Sequence, residues 1–170
     1  MEIKNTLKYH LLVALAIVLM DLVRTYVTGG YGNFLTKIQP IGILYKVTFY
    51  TTFFIVYAIN VRFICPRTLG KKNLGLFILG LFSLFFVFAG IRYFLEEVIV
   101  YSIGGFHNYH ESRRVFWYYI FDNTYYSLQI ILFSTAIYLL LMYLKNNHKI
   151  NQLKLEQQKA ELGVLKMQLE

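Results

Sequence analysis

The chain has 170 residues, of which 57% are hydrophobic and 18% aromatic but only 15% charged. A soluble domain carries roughly 25% charged residues, so this composition points to a membrane protein. The net charge of +8 falls between and beyond apolar segments, where topology and headgroup contact account for it. It forms no basic recognition element, which excludes a nucleic-acid partner.

Four apolar segments are long enough to cross the roughly 30 Å of a bilayer core. The first, about 7–28, is interrupted in its second half by Asp21 and Arg24. Lys4 and Lys8 ahead of an apolar run resemble a signal peptide, but no A-x-A-like site follows and Asp21 breaks the run. The second segment, about 41–62, carries Lys46 near its start and is bracketed by Pro40 and Pro66, where helix ends are expected. Just before Pro66 stands Cys65, the only cysteine, so no intrachain disulfide can form. The third, about 73–95, is free of charge until Arg92 and ends in Glu96 and Glu97. A loop over 95–115 follows, and the fourth segment, about 119–144, has no charge after Asp122. The expected fold is all-α: a polytopic membrane protein with a four-helix transmembrane domain over 1–144. A C-terminal cytoplasmic coiled-coil helix over 145–170 completes it.

Lys and Arg are most frequent in cytoplasmic flanks. Lys4 and Lys8, then Arg62, Arg67, Lys71 and Lys72, then Lys145, Lys149 and Lys154 fall on one side of a four-span topology. The other side has Lys37, and Arg113 and Arg114 offset by Glu96, Glu97 and Glu111. Both termini are therefore expected in the cytoplasm.

This topology gathers the charges inside the spans at one depth. Asp21, Arg24, Lys46, Arg92, Glu96 and Asp122 all fall in the outer halves or at the outer ends of their spans. Asp21 and Arg24, at i and i+3, share a helix face and can pair; Asp122 can meet Arg92 or Lys46 across helices. Two readings stay open. Lys46, Arg92 and the many tyrosines can form an interfacial belt of snorkelling side chains. Alternatively the six charges line an outward-open polar pocket that senses a ligand or state, a reading favoured by the short reach of Asp21.

Chemistry-bearing motifs are few. In the loop, His107, His110 and Glu111 are weak candidates for a metal site, and the histidines could also report external pH. There is no Gly-rich phosphate loop, no G-x-S-x-G, no H-E-x-x-H and no cysteine cluster. No catalytic or cofactor-binding residues are assigned.

After Leu144 the hydropathy falls and a charged amphipathic helix begins. Ile150, Leu153, Gln157, Ala160, Val164 and Met167 form one 3-4 spaced stripe, and Leu155, Leu162, Leu165 and Leu169 form an overlapping one. Such a stripe calls for a partner: either a second copy of the chain, in a homodimer continuing as a rod from the fourth span, or an anionic lipid surface on which the tail lies. The relay positions are Ile150, Leu153, Leu162, Leu165 and Leu169.

Within this tail, Glu161-Leu162, Leu165-Lys166, Gln168 and Leu169 resemble the run preceding the phosphoacceptor motif PHFLFN of LytS-type sensor histidine kinases. The second segment is also similar to four-span members of that family, through Asn60, Pro66, Arg67 and Leu69. The resemblance implies the membrane input portion of a two-component kinase, stopping short of its kinase core. The absent core would use ATP and Mg, autophosphorylate on His and pass the phosphoryl group to a response regulator of LytTR type. His10, His107, His110 and His148 do not sit in that motif, so this portion alone is expected to be catalytically silent. A different class, a complete small membrane protein acting as a coiled-coil scaffold or transporter subunit, fits the same composition.

Overall fold

A computed structural model describes residues 3–37, 40–71 and 73–169, with side chains of the first helix described over 8–29. Lys4, Lys37 and Lys72, which contribute to the orientation signal, lie outside the described side chains. Every regular element among the described residues is helical. In order they are α1 (Ile3–Lys37), α2 (Pro40–Ile59), a π-helical stretch (Asn60–Ile64) and α3 (Cys65–Thr68). These are followed by α4 (Leu74–Tyr93), a second π-helical stretch (Phe94–Val100), α5 (Tyr101–Gly104), a 3-10 turn (Glu111–Arg113) and α6 (Phe116–Leu169).

Four helical stretches are long and apolar enough to cross a membrane: Lys8–Gly29, Pro40–Thr68, Leu74–Gly104 and Phe116–Leu169. Three of them outrun their sequence boundaries. The second passes through Pro66 rather than ending there. The missing proline N–H is absorbed because the preceding turn is already widened to i→i+5 bonding. Leu69 and Gly70 then both donate to the Cys65 carbonyl, at 2.9 and 3.3 Å, and close the helix. Asn73 caps α4 by accepting from the Leu76 N–H at 3.0 Å.

The third stretch continues past 95 to Gly104, where Gly105 at φ 67° supplies the left-handed residue that ends it. The expected loop over 95–115 thus shrinks to residues 105–115. α6 is 54 residues of unbroken helix, ~80 Å at 1.5 Å per residue.

The core is small. Ile17 of α1, Phe53, Val56 and Tyr57 of α2, Leu84 and Phe88 of α4, and Ile130 and Ile131 of α6 meet at its centre. Phe49 joins it to the polar region above, with rings of Phe53, Phe88 and Tyr126 within 6.4 Å. Outside it, Leu11, Leu15 and Leu19 on α1 and Ile78, Leu79 and Phe82 on α4 are exposed. Apolar area on this scale is a liability in water and suits a hydrocarbon solvent. α1 buries only Ile17 and Thr25 among its described side chains, so polar contacts do much of its anchoring. His10 Nδ1 lies 2.6 Å from the Tyr57 hydroxyl, and Asp21 forms an ion pair with Lys46 of α2.

Candidate functional site

The polar groups converge where α2, the C-terminal end of the third helical stretch, the 105–115 loop and the first turns of α6 meet. Their centre is Glu96, fully buried on the second π-helical stretch. Its carboxylate accepts from Arg92 Nε at 2.7 Å, Asn108 Nδ2 at 2.6 Å and, at the edge of hydrogen-bond range, Thr48 Oγ1 at 3.4 Å and the Tyr119 hydroxyl at 3.5 Å. Arg92, only 12% exposed, also donates to Asn123 Oδ1 of α6 and lies 5.3 Å over the Phe49 ring. Arg92 therefore points into the bundle and does not snorkel to the surface, because its partners Glu96 and Asn123 are inside.

Glu97 lies beside Glu96 with its side chain largely covered. It accepts the Tyr119 hydroxyl at 2.5 Å, and its other oxygen lies 2.5 Å from His107 Nδ1. In an ordinary α-helix two successive residues diverge strongly around the axis. The π-helical stretch fits more residues into a turn, which brings neighbours toward one side. That local widening lets both carboxylates face the bundle.

A cavity of about 370 Å³ opens against this cluster, lined by Asp21, Lys46, Arg92 and Asp122 together with Tyr45, Asn108, Tyr109 and Tyr126. Its size is that of a small-molecule site. The Tyr45 hydroxyl is buried there without a hydrogen-bond partner, which is unusual for a buried polar atom. A second cleft of about 150 Å³ shares Asp21, Phe49 and Tyr126 with it and is bordered by Arg24.

Of the six charged residues singled out from the sequence, four line the larger cavity, Glu96 stands behind Arg92, and Arg24 borders the neighbouring cleft. The pairings differ from those expected. Asp21 does not pair with Arg24; it accepts from Lys46 and from the Tyr50 hydroxyl, the latter at 2.8 Å. Arg24 instead lies over the Tyr125 and Tyr126 rings at 5.4 and 5.6 Å, a cation–π arrangement. Asp122 meets neither Arg92 nor Lys46, both already engaged, and accepts the Tyr109 hydroxyl. Burial holds that hydroxyl in its protonated form well above the usual tyrosine range, and the hydrogen bond to Asp122 adds to the effect.

His107, His110 and Glu111 do not assemble a metal site. His107 faces Glu97, His110 faces Ser112 Oγ at 3.2 Å, and no group of three potential metal ligands occurs among the described residues. Glu97, Asn108, Tyr109, Tyr119 and Asn123 escaped sequence reasoning as site residues. One signal for α6 was available: Tyr119, Asn123 and Ser127 recur at four-residue spacing in an apolar span, and all three are buried.

Below the cluster, Asn60 forms a second polar junction. Its Nδ2 lies 2.6 Å from Ser134 Oγ and 3.0 Å from Thr135 Oγ1 of α6, and its Oδ1 accepts from Cys65 Sγ at 3.3 Å. At the far end of α6, Ile150, Leu153, Leu162, Leu165 and Leu169 are all exposed.

Replacing Asp21 by asparagine leaves Lys46 without its counter-ion on the sparsely packed α1. Both side chains are about a quarter exposed, so the expected cost is about 1.5–3 kcal/mol. Thermal unfolding in nanodiscs should show this loss, and adding Lys46→Met should recover part of it.

The fold and site together define an all-helical bundle with a polar cluster at one end and a projecting terminal helix. Comparison with known protein families, with curated proteins and with solved structures gives no match.

Proposed function

We propose that this chain is the membrane input portion of a sensor histidine kinase resembling the LytS type. In this reading the four helical stretches cross the bacterial inner membrane with both termini in the cytoplasm. The polar cluster then lies toward the outside. A stimulus acting there shifts α6, which carries the change to a dimeric coiled coil over 145–170.

The observation that supports this most is the continuity of α6. Its first turns hold Tyr119 and Asn123 inside the polar cluster, and its last residues, 148–169, are exposed throughout. A helix of ~80 Å is more than twice the length a bilayer needs. The excess carries Leu153, Leu155, Leu162 and Leu165 into solvent, and a second copy of the chain would cover them. Family likeness in the tail supplies the rest: a kinase core using ATP and Mg, and a LytTR-type response regulator as its partner.

Insertion of one to four residues after Gln152 tests the reading in the full-length parent, with response-regulator phosphorylation as the readout. Each inserted residue rotates the output helix by about 100°. Output should be disturbed by two residues, about half a turn, and largely restored by four. Phosphorylation indifferent to every insertion would contradict the relay; a parent with no phosphotransfer at all would favour a scaffold or transporter subunit.

A further inference from the structure

We infer that Glu97 and His107 form a proton-binding site that fastens the 105–115 loop to the first turns of α6, so that acidification of the outer face tightens this junction. The inference names the stimulus for the proposed sensor and rests on that reading only for which side of the membrane the site faces.

Charge balance is the starting point. Glu96 is fully buried and the adjacent Glu97 side chain is only 5% exposed, yet among the described residues only one permanent cation, Arg92, contacts the pair, and it contacts Glu96. A second buried carboxylate without a counter-charge is costly. His107 is the group placed to supply that charge: its Nδ1 is 2.5 Å from Glu97 Oε2, and its side chain is 23% exposed, so protons from bulk water can reach it. Histidine is the side chain that ordinarily changes charge between pH 5 and 8.

Among the described residues, the groups around the site do not supply a substitute cation. α2 contributes Tyr45 and Thr48, and the third helical stretch contributes Arg92, already engaged, and Tyr101, whose ring stacks on His107 with centroids 4.1 Å apart. The loop brings Asn108 and Tyr109, and α6 brings Tyr119, Asp122 and Asn123. With the proton bound, an imidazolium on the loop meets a carboxylate that also holds the Tyr119 hydroxyl. When pH rises and the proton returns to water, the charge-assisted contact is lost and Glu97 keeps its hydrogen bond to Tyr119. The pairing contribution is thus present at low pH and lost as pH rises.

Trp117 is the only tryptophan. It lies two residues from Tyr119, at the start of α6, and reports on this junction. The experiment is a titration of its fluorescence between pH 5 and 8 in nanodiscs holding the full chain. Wild type should show one sigmoidal step, H107Q and E97Q should abolish it, and H110Q and H148Q should keep it. A wild type without a step overturns the proton site, as does a step that survives H107Q. Helical circular dichroism of H107Q at both pH limits separates loss of the switch from loss of the fold. The titration is independent of the kinase assignment, whose failure would show in the Gln152 insertions.

Discussion

Replacing Arg92 by leucine is expected to destabilise the bundle by about 3–5 kcal/mol, the cost of leaving a buried charge without its partner. Glu96 is fully buried and Arg92 nearly so, and no other cation contacts Glu96 among the described residues. Glu96→Leu alone should cost a similar amount, because Arg92 then keeps only Asn123 and the Phe49 ring. The double variant should be less destabilised than the sum of the two, and close to either single change. Equilibrium unfolding of the three variants in mixed micelles gives the coupling energy directly. Additive losses would mean that Arg92 and Glu96 act independently, and the cluster would not be the unit described.

The second large effect concerns α6. Asn146→Pro places a proline within a continuous helix just beyond the fourth apolar segment. It removes one backbone hydrogen bond and sets its ring against the carbonyl four residues earlier, a cost of about 3 kcal/mol or more borne locally. The bundle above should remain folded, because its core residues on α6, Ile130 and Ile131, lie four turns away. The expected result is a protein of near-normal thermal stability whose tail no longer follows the bundle. A thermal scan and a cysteine crosslinking profile of the tail measure the two halves of this statement separately.

Much of this architecture was legible in the sequence because its strongest signals are compositional. Charge-free runs such as 123–144 leave little choice but an apolar helix, and past the hydropathy drop after Leu144 the residues 148–169 are all exposed. That the charges gather at one level was also legible, since an alternating topology and a fixed rise per residue predict it, and the structure brings Asp21, Lys46, Arg92 and Asp122 around one cavity. The partners were not. Asp21 chooses Lys46 over Arg24 because neighbours across a helix interface are set by packing, which periodicity along one helix does not encode. The two π-helical stretches left little trace in the pattern. One lets the second apolar helix run through Pro66; the other turns Glu96 and Glu97, apparent loop residues, into the buried centre of the site. The 105–115 loop, which looked like a solvated connector, contributes His107, Asn108 and Tyr109 to that centre.

The central claim is that the polar cluster and the exposed tail belong to one mechanical element, with Asp122 and Leu153 separated by ~46 Å along a single helix. Disulfide crosslinking in native membranes tests it most directly, using single cysteines from 150 to 169 in a Cys65→Ser background. Wild type should crosslink with a three-to-four-residue period along the stripe that includes Ile150 and Leu153. Arg92→Lys keeps the charge but loses the guanidinium geometry that spans Glu96 and Asn123. Its crosslinking maximum should move to neighbouring positions on the helix. A profile unchanged by Arg92→Lys, or one without periodicity in wild type, would contradict the account.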